Sequence, residues 1–353
     1  MRHEKAEGMK VLFDGYWLSG GPISNAMVQR QIIETWSATF PQDEIFVTAK
    51  LGYKPLIGNQ PTYLRVSHRL HALSLFFEIP RLARKVRADA VFTHNFASPT
   101  YSAKSFVFIH DFIFMEHPKW FTIKEQFYFL LMPLSSIFAR QLFTSSNTEA
   151  LRIKRFLKRR VTATSLGMDP ALRDAVPNSP NPLLKPKEFM LTIGRLTERK
   201  NLVLTIESAL DSGLVTKKEP LVVVGEKSGK FSGLSSRVST ALESGLVLFL
   251  ENVRTEEIAW LYVNCSNFLF FSLDEGYGLP AIEALYFGSP AKLSDISVFR
   301  ELVGPYGVFA NPRDPLELVK AITSNSVTPD RGIDPTSWQE VVAKIRSEMV
   351  KVL

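Results

Sequence analysis

The sequence has little cysteine and no long uninterrupted apolar segment. Cys265 is the one cysteine among 353 residues, which excludes an internal disulfide and a cysteine-based metal cluster. We expect a buried thiol in a reducing compartment. The most apolar stretch, residues 127–139, contains Pro133 and is shorter than the roughly 20 residues that a bilayer-spanning helix needs. Residues 1–8 are polar and do not resemble a signal peptide, so the sequence predicts a cytoplasmic protein.

Two common nucleotide-binding patterns are also missing. The glycines after the first predicted strand, Gly15, Gly20 and Gly21, do not spell G-x-G-x-x-G. The loop at 225–231 superficially resembles a P-loop, but three residues separate its glycines and Phe231 replaces the serine or threonine. The sequence therefore excludes an ATPase of the P-loop type and gives no dinucleotide fingerprint.

The composition is that of a globular protein with a basic excess. Hydrophobic residues make up 45% and charged residues 22% of the chain, and the formal net charge is +7. A basic excess permits phosphate-bearing partners, which include nucleic acid, anionic lipid and nucleotide ligands. Charge alone does not choose among these classes.

Strands and helices alternate in both halves of the chain. This alternation predicts α/β architecture with two doubly wound, Rossmann-like domains. Residues 170–187 contain five prolines, which break both the helical and the strand periodicity and predict a linker. The predicted division is therefore residues 1–169, linker 170–187, and a second domain over 188–335.

The stretch 268–290 contains the most specific pattern in the chain. An apolar run, Phe268–Leu273, predicts a buried strand, and a polar loop with two glycines follows it. Pro280 favours a helix start, and free N–H groups at such a start attract phosphate. The carboxylates of Glu275 and Glu283 could accept hydrogen bonds from sugar hydroxyls. The alternative is that Glu283 only balances the helix dipole and Glu275 is solvated.

Three further groups of polar residues follow predicted strands. Arg195 and Lys200 lie between a strand end and a helix start, where phosphate would meet cations and backbone N–H groups. His94 ends one strand of the first half, and His110-Asp111 ends the next. The alternatives are exposed loop cations for the first group and satisfied core histidines for the others.

These residues resemble the family 4 retaining glycosyltransferases, which have the GT-B fold. Residues 275–284, Glu-Gly-Tyr-Gly-Leu-Pro-Ala-Ile-Glu-Ala, resemble the family motif E-G-F-G-L-P-x-x-E-A. The segment 194–201 is similar to its G-R-L-x-x-x-K-N pattern, whose arginine and lysine hold the donor diphosphate. Residues 107–121 resemble the H-D region of a mannosyl- and rhamnosyltransferase branch, where the histidine faces the donor sugar.

The resemblance implies two domains facing across a cleft, with residues 336–353 forming a helix that crosses back to the first domain. It implies a retaining hexosyltransferase that uses GDP-mannose or another nucleotide-diphosphate sugar. The acceptor would be a saccharide or lipid-linked glycan in O-antigen or capsule-type biosynthesis. The sequence has no Asp-x-Asp triplet, so no metal and no cofactor is expected.

The resemblance also implies roles for individual residues. The predicted catalytic residues are His110, Glu275, Arg195 and Lys200. The predicted donor-binding residues are Arg195, Lys200, Glu275, Gly276, Tyr277, Gly278, Leu279 and Glu283. The predicted acceptor-binding residues are Gly20, Gly21, His94 and Asp111.

Two predicted basic helices, residues 68–87 and 150–160, could lie on the anionic inner face of the plasma membrane. The alternative is a solvated basic face on an ordinary domain helix. A nucleic-acid-binding protein is a rival interpretation of residues 152–160, but base-stacking aromatic residues are scarce there, so no nucleic acid is expected. A nucleotide-sugar epimerase of the same fold is the alternative enzyme.

Overall fold

The structure is a computed structural model that describes residues 8–20, 23–50, 53, 61–68, 70–226, 233–325 and 333–353. The chain forms two compact units. Unit 1 contains the described residues up to Phe112, together with Phe127–Gly167 and Thr336–Leu353, and unit 2 contains Ile113–Gln126 and Met168–Pro335. The sequence-based division differs in two respects. It assigned Ile113–Gln126 to the first domain, and it ended that domain at residue 169 with a linker over 170–187, whereas unit 2 begins at Met168 and includes the predicted linker. The side chain of His117 in the segment Ile113–Gln126 approaches Asp274 of unit 2.

Unit 1 is built on a parallel sheet of seven strands in the order β3-β2-β1-β4-β5-β6-β7. The strands are β1 Lys10–Phe13, β2 Glu44–Lys50, β3 Thr62–Val66, β4 Ala90–His94, β5 Lys104–Ile109, β6 Ala139–Thr144 and β7 Val161–Ala163. The central strands are apolar runs buried on both faces, as a parallel sheet covered by helices requires. The edge strand β3 is half exposed, and sequence periodicity did not reveal it.

The helices of unit 1 connect these strands. They are α1 Ile23–Thr39, α2 His71–Leu73, α3 Ile79–Val86, α5 Leu131–Ser135, α6 Asn147–Phe156 and α14 Trp338–Val350, and a π-helical turn, Ser74–Glu78, joins α2 to α3. The last helix, α14, packs against α1. Arg346 on α14 donates two 2.8 Å hydrogen bonds to the buried carboxylate of Asp43.

Both predicted basic helices differ in extent from the structure. The first begins at His71 rather than residue 68. The second spans Asn147–Phe156 rather than 150–160, because Ser146 caps it earlier and the chain becomes extended at Leu157.

Unit 2 contains a parallel sheet of six strands in the order β10-β9-β8-β11-β12-β13. The strands are β8 Met190–Ile193, β9 Leu221–Val224, β10 Val247–Leu250, β11 Asn267–Phe270, β12 Ala291–Ser294 and β13 Val308–Ala310. The helices are α4 Ile123–Phe129, which begins in this unit, α7 Pro170–Arg173, α8 Leu202–Asp211, α9 Ser236–Glu243, α10 Thr255–Asn264, α11 Leu279–Tyr286, α12 Ser297–Val303 and α13 Pro315–Thr323. The sequence did not predict α9, α12 or β13.

The strand order indicates where a ligand would bind in each unit. In each sheet the order reverses once, between β1 and β4 in unit 1 and between β8 and β11 in unit 2. Ligands of open α/β sheets bind at the carboxyl ends of the strands beside such a reversal. The predicted α/β class with two doubly wound sheets is confirmed. In the part of the chain that the structure describes, no helix is long and apolar enough to cross a bilayer.

Candidate active site

The loops after β8 and β11 meet at the strand-order reversal of unit 2. The backbone N–H of Leu273 donates to the carbonyl of Arg199 at 2.8 Å, which ties the two loops together. The side chain of Asn201, a residue with φ of +53°, donates to the carbonyl of Phe271 at 3.1 Å. These contacts fix the position of the predicted site residues on both loops.

The carboxylate of Glu275 is held by two cations at this junction. Lys200 Nζ donates to Oε1 and Arg199 Nη1 donates to Oε2, each at 2.6 Å. Burial alone would raise the pKa of Glu275, but Arg199 and Lys200 outweigh it and lower that pKa to about 2. Glu275 is therefore ionised at neutral pH. The sequence prediction paired Lys200 with a phosphate and omitted Arg199, whereas the structure shows both cations bound to Glu275.

Arg195 lies near this cluster with its guanidinium exposed. Burial lowers the pKa of Lys200, and the charges of Arg199 and Arg195 add to the decrease, while Glu275 opposes it. No carboxylate in the described part of the chain pairs with Arg195. Two cations thus bind the carboxylate of Glu275, and the charge of Arg195 acts on Lys200 beside them. This excess of positive charge favours an anionic ligand.

Gly278 caps the N-terminus of α11 in a backbone conformation that requires glycine at this position. Its φ is +85°, and a Cβ there would lie 2.4 Å from the ring of Phe299. Gly276 and Tyr277 are buried, and Leu279 is partly buried at the first position of the helix. The predicted glycine loop and helix N-terminus are therefore present beside Glu275.

Glu283 lies in the second turn of α11, whereas the sequence pattern predicted that it would lie in the first turn. It is too far along the helix to act mainly on the dipole at the helix start. Tyr262 Oη donates to Glu283 Oε2 at 2.9 Å. Burial raises the pKa of Glu283 to about 7, with Asp169 adding to the rise while Tyr262 and Lys200 oppose it.

One group of described residues in unit 2 could hold a cation. One ligand atom each from Glu116, His117 and Asp274 lies within 4.8 Å of the other two. The ring of His117 stacks on Trp120 at 4.0 Å, and Asp274 Oδ1 accepts a 2.8 Å hydrogen bond from the backbone of Glu275. A carboxylate and imidazole set of this kind suits a divalent transition metal.

In unit 1 the structure brings the two predicted histidines together. His94 Nδ1 and His110 Nε2 share a hydrogen bond of 3.1 Å, and the ring of Trp17 lies 5.9 Å and 5.6 Å from the two imidazoles. Burial lowers the pKa of His110 to about 3. Burial, His110 and His71 lower the pKa of His94 well below its usual value. Both rings are therefore neutral at pH 7.

A second polar pair lies in the same region, and sequence reasoning did not find it. His71 Nε2 lies 2.7 Å from the buried carboxylate of Asp14, and the imidazole stacks on Tyr16 at 4.5 Å. Asp14 directly follows β1, so a search for polar residues at strand ends would have found it. His71 gave no such signal, since it lies in a predicted helix far along the chain.

The remaining predicted acceptor residues show fewer contacts. Gly20 has a φ of +120° and nothing within 4 Å of a Cβ built on it, so the residue lies against open space. Asp111 is partly buried, and Gly21 lies outside the described residues. Each assignment to an acceptor stays a prediction.

Comparison with known proteins supports the family and the fold. Residues 178–326 match the sequence model of the family described as glycosyl transferases group 1. The chain is 27% identical over 205 residues to O-antigen chain mannosyltransferase B of Escherichia coli. This alignment covers 56% of the chain and 51% of that relative, so the chain spans about half the length of the curated relative it matches.

Solved structures with the same architecture cover nearly the whole chain. WaaG, a glycosyltransferase involved in lipopolysaccharide biosynthesis, has a TM-score of 0.63 at 14% identity and covers 96% of this chain and 92% of its own. Sucrose-phosphate synthase from Thermosynechococcus elongatus has a TM-score of 0.64 at 17% identity, with coverages of 98% and 94%. The chain therefore has the GT-B fold, and its residues 178–326 are similar to the glycosyl transferases group 1 family.

Proposed function

We propose that this protein transfers a sugar from a nucleoside-diphosphate donor to a saccharide acceptor in cell-surface polysaccharide biosynthesis. The observation that carries the proposal is the pairing of Arg199 and Lys200 with Glu275 at the strand-order reversal of unit 2, with Arg195 close enough to act on Lys200. The family match and the names of the relatives support this chemistry. The relative O-antigen chain mannosyltransferase B is a mannosyltransferase by name, which makes GDP-mannose the first donor to test.

The cations would act on the leaving diphosphate. When the bond to the sugar breaks, negative charge grows on the diphosphate, and fixed cations together with N–H groups at the start of α11 stabilise that charge. Arg195 is the exposed cation and makes the direct contact in this proposal. Glu275 holds Lys200 and Arg199 in place through its two oxygens, so it organises the site while also lying near the donor sugar.

Glu283 completes the proposed donor contacts of unit 2. Glu283 accepts hydrogen bonds from ribose hydroxyls, with Tyr262 fixing its orientation. The resemblance implies that His110 faces the donor sugar, and the imidazole is neutral at pH 7. A neutral ring does not repel the positive charge that develops on a sugar ring in an oxocarbenium-like transition state. Retention at the anomeric carbon and turnover without a metal are part of the same proposal.

The two alternatives from the sequence have less support. The family match and the relatives favour transfer over epimerisation. Nucleic-acid binding relied on the basic residues 152–160, but several of these make internal contacts. Arg152 pairs with Glu149, Arg159 donates to three backbone carbonyls, and Arg160 pairs with Glu348.

A nucleotide-sugar screen tests the proposal. The purified chain is incubated with several nucleotide sugars, and thermal stabilisation identifies the donor, since a ligand that binds the folded state raises the melting temperature. Release of free nucleoside diphosphate on addition of a saccharide acceptor is the expected result. An epimerase would interconvert two nucleotide sugars without this release. The anomeric configuration of the product, read by NMR, decides between retention and inversion.

A further inference from the structure

Large apolar side chains are exposed along two helical segments of unit 1. In the run 71–86, Leu73 and Phe77 are 39% and 54% exposed. In the segment 127–138, the side chains of Phe127, Leu130, Leu134 and Ile137 are between 45% and 71% exposed. These four residues recur at intervals of three or four, so they form one stripe along a helical path. Exposed apolar stripes of this extent mark an interaction surface.

The two segments adjoin each other. The rings of Phe76 and Phe138 lie 6.4 Å apart in an edge-to-face arrangement. An open groove of about 630 Å³ lies along the first segment, where Leu73 and Phe77 line it together with Tyr101 and with Leu131 of the second segment. Tyr101 is 91% exposed. We call this groove with its lining residues the apolar groove.

The charges beside the apolar groove are of one sign. Arg84 contributes to its lining, and Arg81 and Lys85 are exposed on the same helix, α3. No carboxylate in the described ranges pairs with these three cations. The nearby carboxylate of Glu78 accepts hydrogen bonds from Ser67. A partner that binds this face must therefore present both apolar groups and negative charge.

We propose that this face of unit 1 docks on the surface of an anionic phospholipid bilayer. Phe77, Leu73 and their neighbours enter the boundary between headgroups and acyl chains, while Arg81 and Arg84 contact lipid phosphates. Tyr101 lies at the headgroup level, which amphipathic aromatic rings prefer. The proposal does not depend on which sugar the protein transfers.

The proposal gives the second basic helix no part in this docking, unlike the sequence prediction. Arg152 is buried against Glu149, and Arg159 and Arg160 are held by carbonyls and by Glu348. Lys154 and Lys158 remain exposed there. This pair therefore supplies a matched control, since it has the same charge as the pair on α3 without the apolar groove.

Co-sedimentation of the full chain with vesicles tests the proposal. One set of vesicles contains phosphatidylcholine alone, and the other contains phosphatidylcholine with phosphatidylglycerol. The expected result is strong binding to the anionic vesicles, weak binding to the neutral ones, and a loss of binding as salt is raised, because salt screens exposed charges.

Two double variants locate the surface. Phe77→Gln with Tyr101→Ser should reduce binding at least about 10-fold, because two apolar side chains no longer leave water. Arg81→Gln with Arg84→Gln should reduce it by about 5-fold for each cation lost. Leu183→Gln with Leu316→Gln, at sites 84% and 72% exposed on unit 2, and Lys154→Gln with Lys158→Gln should leave binding unchanged.

Several outcomes would overturn the proposal. They are equal binding to neutral and anionic vesicles, binding unaffected by the groove variants, and binding lost with Lys154 and Lys158 instead. A dimer in analytical ultracentrifugation that becomes monomeric in the groove variants would assign the face to a second copy of the chain. If a double variant fails to fold, Tyr101→Ser alone repeats the test. Turnover of a soluble acceptor in the same variants separates lost docking from lost catalysis.

Discussion

Lys200 Nζ lies 2.6 Å from Glu275 Oε1, although the two residues are 75 positions apart in the chain. The first belongs to the loop after β8 and the second to the loop after β11, the two strands beside the strand-order reversal of unit 2. Arg199 holds the other carboxylate oxygen at the same distance. The catalytic proposal depends on this arrangement, since it fixes two cations and leaves Arg195 exposed next to them.

Replacing Arg195 by alanine should reduce kcat/KM by about 10²-fold to 10³-fold, as expected for removal of one charged donor from the developing negative charge. The melting temperature should change little, because the side chain is exposed and pairs with no carboxylate in the described part of the chain. Steady-state kinetics with the identified donor measure the effect. Arg237→Ala, which removes an exposed arginine of α9 that pairs with Asp211, is the control for the kinetic effect of losing an arginine. Unchanged kinetics in Arg195→Ala would remove the diphosphate contact from the proposal.

The variant Glu275→Gln should lower the free energy of unfolding at pH 7 by roughly 3 to 5 kcal/mol, because two cations lose a buried partner charge. Glu275 has a lowered pKa of about 2, so its contribution is present above its unfolded value and is lost as the pH falls towards 2. Urea unfolding at several acidic pH values should show this loss of stability in the wild type but not in Glu275→Gln. Glu219→Gln, at an exposed position, controls for the substitution itself. Parallel acid limbs in wild type and Glu275→Gln would contradict the assigned ion pairs.

The ionisation of Glu283 should change stability with pH in the direction opposite to that of Glu275. Its pKa rises to about 7 on folding, so its contribution is present at low pH and declines as the pH rises towards and through 7. Relative to the wild type, Glu283→Gln should therefore stabilise the ligand-free protein more at pH 8 than at pH 5. The difference in the free energy of unfolding should be roughly 1 to 3 kcal/mol. Urea midpoints at the two pH values measure this difference, with Glu251→Gln as the exposed control. The same variant should bind the nucleotide more weakly, if Glu283 accepts ribose hydrogen bonds.

Turnover should persist after treatment with EDTA, because the proposed stabilisation of the diphosphate uses side-chain cations and N–H groups. The measurement is nucleotide release before and after chelation. A loss that Mn²⁺ restores in the wild type, but not in Asp274→Asn, would instead place a functional metal at Glu116, His117 and Asp274.

The buried pair of Arg346 and Asp43 should be a major contributor to the stability of unit 1. Arg346→Met should lower the free energy of unfolding by roughly 3 to 5 kcal/mol, since Asp43 would stay buried with one charged partner fewer. Trp36 Nε1 would still donate to the same carboxylate at 2.9 Å. Urea unfolding provides the measurement. The neighbouring exposed cation Lys344 gives the control variant Lys344→Met, for which no comparable loss is expected.

Much of the fold was predictable from local patterns. The apolar strands β1, β4, β5 and β8, and the capped helix α14, follow from periodicity and end signals that act over a few residues. The half-exposed edge strand β3 and the short helices α9 and α12 were missed, since their patterns are weak without the neighbours that they pack against.

Some features of the candidate site could likewise be predicted from the sequence, and others could not. The motif at 275–284 and the cations at 195 and 200 could be read from residue type and spacing, and so could the histidines at the two strand ends. The sequence could not show that Glu275 binds Lys200 and Arg199, that Tyr262 orients Glu283, or that His71 pairs with Asp14.

The sequence by itself therefore determined which chemical groups are available and which strands carry them, because backbone preferences and apolar periodicity are local properties. Tertiary structure alone decided which charges pair and which stay exposed. Strand order brings distant loops together, and the burial that results sets the ionisation of Glu275, Glu283 and His110. Desolvation and charge pairing depend on these three-dimensional neighbours, which the linear order of residues does not specify.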